Sequence, residues 1–251
     1  ATTHPLSSQR LSDVENRLVT GTKQTYNESD DFWFVQAAAM VIQAQGGSAL
    51  QTLQQRLTSL TTSRTGVSQA AAYYGLAYAA KQRRDLTGAQ QYLQQALKTG
   101  VASAAMDVLQ VELLLAQKQA GAALQQAQLA WKKWPQNQAV ALVLIEAMQK
   151  NNQLVQSIPF LEQRIVQWPK EPRFHQLLAL ALERSNKPIE ARQAMANYYL
   201  LVGAVPSAVS QLQQARDQST DFYVQSALDV QIRDLREQLE RDRLLLERFK
   251  G

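Results

Sequence analysis

The 251-residue chain has no cysteine and a formal net charge of +5, with its Arg residues interleaved among Asp and Glu, as in RDLREQLERDRLLLERFK. Without Cys there is neither a disulfide framework nor a thiolate metal site. No apolar run reaches the ~18 residues of a membrane-spanning helix, and no basic cluster interleaved with aromatics supports nucleic-acid binding.

Ten Gly and seven Pro are few beside abundant Ala, Leu and Gln, so the composition predicts an all-α protein. Apolar spacing and breakers place the helices in chain order. LSDVENRL, at about 11–18, predicts a short helix, and another runs from Phe32 to about Gln45, stopped by Gly46-Gly47. Ser48 caps a third, which ends at about Leu60 before the polar loop TTSRTG. Helices then pair at about 68–82 with 86–98, 102–118 with 121–133, 138–150 with 153–167, and 172–184 with 188–201. A helix over about 205–216 follows, and a long last one from about Asp221 to Arg248. Along that last helix Leu228, Ile232, Leu235, Leu239 and Leu246 recur at heptad-like spacing, interrupted by Asp242. The pattern is read as a helix covering the apolar end of a stack in a monomer, not as a dimeric zipper.

Trp134-Pro135 returns as Trp168-Pro169, 34 residues later, each closing one helix pair and opening the next. Gly75 and Tyr78 in YYGLAYAA, then Ala89, Leu93 and Ala96, mark the two helices of the first unit. The turn QRRDLTG between them is read as two residues longer than usual. Ala123, Ala127 and Ala130 continue the pattern, Ser157, Leu161 and Arg164 degenerate it, and the fourth unit has Leu178 and Ala191 but ends in Gly203. A half-unit with Tyr199, Gly203, Ala208, Leu212 and Ala215 follows. Period and pattern resemble the tetratricopeptide repeat, two antiparallel helices per unit. The expected fold is an all-α, tetratricopeptide-like α-solenoid of antiparallel helix pairs: a helical lead-in at 21–66, repeats at 67–220 and a C-terminal capping helix at 221–251.

In such a solenoid the first helix of each pair lines a binding face, and solenoids of this kind bind proteins. The paired helices predict a face of Ala72, Leu76 and Ala79, then Val108, Glu112 and Leu115, then Leu142, Glu146 and Gln149, then Arg173, Gln176, Leu180 and Arg184. It reads as apolar at one end and mixed in charge toward the other. The Lys/Asn set that clamps a peptide carboxylate in chaperone-binding members is absent at the corresponding places. No HExxH, glycine-rich phosphate loop or nucleophile elbow occurs, so no catalytic residue, metal ligand or cofactor is assigned within the chain. His175 is read as a packing or face residue, and Trp131, Trp134 and Trp168 as turn anchors.

The opening THPLSSQRLSDVENRL, through Thr3, His4, Pro5, Ser8, Arg10 and Leu11, resembles the run that closes the catalytic domain of HExxH zinc metalloproteases with C-terminal tetratricopeptide repeats. AVSQLQQARDQSTDFYVQSALDVQIRDLREQL, at the other end, resembles the tail of the BepA-type members of that family. The resemblance implies that 1–20 is the end of a protease domain, that zinc and its ligands lie in a longer parent, and that His4 approaches the zinc there. It also implies a periplasmic location, a role in outer-membrane protein assembly and quality control, and two partners: unfolded outer-membrane protein clients and the chain's own protease domain. The alternative is a stand-alone repeat scaffold or adaptor of the bacterial envelope.

Overall fold

A computed structural model describes residues 30–44 and 46–250, with side chains as far as Glu247. LSDVENRL and His4 lie outside the described residues. Within them the regular structure is helical throughout: α1 (Asp30–Gln43), α2 (Gly47–Ser63), α3 (Gly66–Gln82), α4 (Leu86–Lys98), α5 (Ala104–Ala116), α6 (Ala120–Lys133), α7 (Gln138–Lys150), α8 (Leu154–Gln167), α9 (Pro172–Arg184), α10 (Pro188–Leu201), α11 (Val205–Gln218) and α12 (Phe222–Lys250). Neighbouring helices pack in sequence order, and α3, α5, α7 and α9 also touch in succession. The chain is an all-α solenoid of packed helix pairs.

The turns set the register. Arg84, Lys118, Asn152 and Asn186 sit in the left-handed region at φ 63°, 61°, 61° and 57°, at intervals of 34 residues. The next amide donates to a carbonyl five residues back: Asp85 to Ala80 at 3.0 Å, Gln119 to Leu114 at 2.9 Å, Gln153 to Met148 at 2.8 Å and Lys187 to Leu182 at 3.0 Å. This closure satisfies carbonyls that a helix end otherwise leaves unpaired. Every within-pair turn thus has three residues, and α4 already begins at Leu86. The two-residue insertion expected in QRRDLTG is therefore not there. Gly75 is displaced from its expected repeat role as well, because the register puts Ala77 level with Val111, Ile145 and Ala179, all buried. Gly75 serves a different contact. A Cβ there would lie 3.0 Å from Leu57 Cδ1 and 3.3 Å from Ala37 Cβ, so α1 and α2 press on α3 where even a methyl crowds.

Close pairing depends on small residues in the second helices. Ala89, Ala123, Ser157 and Ala191 are buried at 34-residue spacing, as are Leu93, Ala127 and Leu161. Arg164 stands where Ala96 and Ala130 sit in earlier units. Its guanidinium lies over Trp131, Phe160 and Trp168 at 5.2, 4.9 and 5.7 Å, and its buried Nε has no partner among the described residues.

Between pairs the link is different. Trp134 and Trp168 end α6 and α8, each donating its amide at 2.8 Å to a carbonyl four residues back, Ala130 and Arg164. Asn137 and Glu171, 34 residues apart, then cap α7 and α9 through Val140 N and Arg173 N. The Trp134 indole also donates to Asp107 Oδ2 at 2.7 Å, while Trp168 stacks on Phe174 at 5.7 Å. After α10 no Trp-Pro occurs. Gly203, at φ 76°, and an Ala204 amide bonded to Tyr199 O at 2.8 Å repeat the within-pair turn. As a result α11 stays beside α10 and does not approach α9. α12 covers α11 through Leu228, Ile232, Leu235 and Leu239, as a capping helix does, but Leu246 lies beyond that contact and is 62% exposed.

Two outcomes test this account of the turns. Trp134→Phe leaves the buried Asp107 carboxylate short of a donor and should cost about 2 kcal/mol in urea denaturation, with Trp168→Phe costing about half as much. Equal costs would remove the Asp107 bond as the reason. Lys118→Gly relieves a left-handed non-glycine residue and should gain about 0.5–1 kcal/mol, more than Asn152→Gly, because Asn tolerates that region better.

Candidate functional site

Residues 34 apart on α3, α5, α7 and α9 form rows across one face. One row is Tyr78, Glu112, Glu146 and Leu180; a second is Tyr74, Val108, Leu142 and Gln176; a third is Lys81, Leu115, Gln149 and Glu183. Spacings of four and three keep the rows adjacent on each helix. Lys81 Nζ meets Glu112 Oε2 at 2.5 Å and lies 5.6 Å from the Tyr78 ring, which ties α3 to α5. Arg173 pairs with Glu146 and ties α9 to α7. Tyr74 stacks on Tyr78 at 6.1 Å and meets Phe34 of α1 edge-on at 5.5 Å.

Burial raises the Glu146 carboxyl above the ordinary carboxylate range. Arg173 opposes that rise, Glu112 adds to it, and Lys81 and Lys150 oppose it further. The Tyr74 phenol is held well above its usual value by burial, then by Glu112 and Tyr78, so it stays protonated. Burial lowers the half-buried His175 imidazole.

Of the predicted face, Glu112, Glu146, Arg173, Gln176 and Leu180 stand together, with Leu180 45% exposed. Val108, Leu115 and Leu142 are half-buried and pack into the core below. Leu76 is misassigned. It is 2% exposed and clusters with Val41, Leu57, Ala72 and Ala79 under α1 and α2. The two-residue shift of α3 is the cause: the register puts Tyr78 and Lys81 on the face in place of Leu76 and Ala79, while Tyr74, in place of Ala72, is 7% exposed and packs in the core beneath them. The apolar end expected there is aromatic and basic. Gln149 is also not a free contact: it is 9% exposed and donates to Leu177 O at 3.0 Å and Ser157 Oγ at 3.4 Å, a polar strut joining α7, α8 and α9. Arg184 is exposed at the end of α9.

Sequence reasoning missed a second feature. Because α9 and α11 flank α10 without meeting, a trench of about 530 Å³ opens over α10. Leu180 and Glu183 form one wall, Gln211 the other, and Arg192, Met195 and Tyr199 the floor. The missing Trp-Pro after α10 was the available signal. The volume falls within the ~300–1,000 Å³ of ligand-sized sites.

A stack of helix pairs with such a face defines a repeat scaffold for protein binding. The family model for the tetratricopeptide repeat matches residues 114–181, from the end of α5 into α9. No curated protein matches the chain. The matched repeats point to a protein–protein interaction module.

The folded chain holds the Glu146 proton more tightly than the unfolded chain does. Between the ordinary value of 4.5 and the raised one, the native state therefore binds more protons. Stability relative to Glu146→Gln should rise as pH falls through that window and stay level above it. A pH-independent difference in urea denaturation between about pH 7 and about pH 4.5 would show that burial does not raise Glu146.

Proposed function

We propose that this chain is the polypeptide-binding part of a periplasmic zinc metalloprotease that acts in outer-membrane protein assembly and quality control. Binding is supported by one observation above others: a face on which Lys81 pairs with Glu112 and Arg173 with Glu146, continuous with an open trench lined by Leu180, Met195 and Tyr199. Such a surface suits extended or partly folded chains, which it holds by adaptable contacts along their length. The protease parent, the periplasm and the client class are supported by the resemblance at Thr3–Leu11 and at Ala208–Leu239.

Among the described residues no three His, Asp or Glu side chains come together as a metal site. In this reading zinc and the general base belong to the protease domain, and no chemical step is assigned to this chain. Its contribution is to hold a client where that domain can reach it.

The test is binding of urea-denatured outer-membrane porin, diluted onto the immobilised chain. Glu112→Lys, Glu146→Lys and Leu180→Glu should each weaken capture by about tenfold, as expected when a central contact is lost. Capture that survives all three removes the face as the binding site. The coding sequence upstream of Ala1 separates the two parents: an HExxH motif supports the protease, and a signal peptide alone supports the free scaffold.

A further inference from the structure

Arg192 is a cation whose partners in the fold are all neutral. Its Nε donates to Gln218 Oε1 at 3.2 Å, and its Nη1 to Gln214 Oε1 at 2.5 Å and Gln211 Oε1 at 3.4 Å. All three glutamines belong to α11. Among the described residues no Asp or Glu forms an ion pair with Arg192, whereas Lys81, Lys133, Arg173 and Arg216 each have one. Amide oxygens orient a guanidinium without neutralising it, while a carboxylate does both through charge-assisted hydrogen bonds.

The surroundings narrow the anion. Arg192, Met195 and Tyr199 share one side of α10 at spacings of three and four, facing into the trench that Leu180 and Glu183 border. Every lining residue lies within a helix, so its amide is already bonded along that helix and cannot hold a chain terminus. Glu183 repels a second acid nearby.

We infer that the trench docks an extended segment of a protein partner bearing one Asp or Glu side chain, which pairs with Arg192 while a neighbouring large apolar side chain lies against Leu180 and Met195. This rests on the reading of the chain as a polypeptide-binding module. Arg192 reaches the bound segment only because α11 fails to return to the row of α9.

Phage display of random decapeptides on the whole chain tests it. Wild type should enrich peptides with a single Asp or Glu beside Leu, Ile, Phe or Met. Arg192→Gln should lose that acidic preference. It should bind the leading peptide at least ~10-fold more weakly, the loss expected for one charged hydrogen bond. Changing the peptide acid to its amide should cost the same, and the two losses should not add. Leu180→Glu, at an exposed position the fold tolerates, should abolish binding by placing a rival carboxylate on the wall. Selected peptides with no acidic preference, or with unchanged affinity for Arg192→Gln, overturn the inference and leave polypeptide binding standing. Failure to select any peptide overturns both.

Discussion

A hydrogen bond from the residue after a left-handed position to a carbonyl five residues earlier folds each helix pair from α3/α4 to α9/α10 on itself. What the stack buries and exposes depends on where that bond is used. Inside a pair it holds the second helix against the first with three connecting residues. Between pairs, after α6 and α8, the four-residue Trp-Pro link carries the chain back to the row of first helices, where α5, α7 and α9 touch in turn. At Gly203 the within-pair closure replaces the link. α11 then lies beside α10, the row ends at α9, and the trench is the space a stacked helix would have filled.

The second constraint is approach distance. Helix axes close to roughly 8–10 Å only where small side chains face each other, and the buried Ala89, Ala123 and Ala191 supply that contact. Arg164 shows the cost of departing from it. A guanidinium at a position held by alanine elsewhere cannot point into the pair, so it is accommodated among three aromatic rings. Cation–π attraction offsets some of the desolvation, while the unpartnered Nε remains a penalty. Trp168 is thus at once a link residue and a wall of that box, while Trp131, within α6, forms another wall.

Most of the fold was legible in the sequence because its signals are local. Breakers and apolar spacing place α4, α7, α9 and α10 at their observed limits and the other described helices within a few residues. The Trp-Pro echo gave the period. The face was less legible, for two physical reasons. Arg84 and Lys118 adopt φ of 63° and 61°, a conformation usually signalled by Gly or Asn. Without that signal the first turn reads as too long, Gly75 reads as a repeat glycine, and the expected face of α3 is rotated by two residues. Glu112, Glu146 and Leu180 were unaffected because their own turns lie downstream of the error. Gln149 failed differently. A polar residue on a face-bearing helix looks like a contact until a Leu177 carbonyl is found within 3.0 Å of its amide.

The two halves of the surface divide their labour by charge. On the face, Lys81 with Glu112 and Arg173 with Glu146 cancel pairwise and act across helices, holding α3 to α5 and α7 to α9. Pairs of this kind, each half-open to water, contribute little net stability, but they fix the spacing of the row and leave no net charge to select a ligand. Arg192 is different because its partners are amides on α11. Its charge is positioned by the fold and left uncompensated within it. Specificity in a shallow groove requires an interaction that the wrong partner leaves unmade, and on this surface that interaction lies in the trench at the point where the repeat pattern stops.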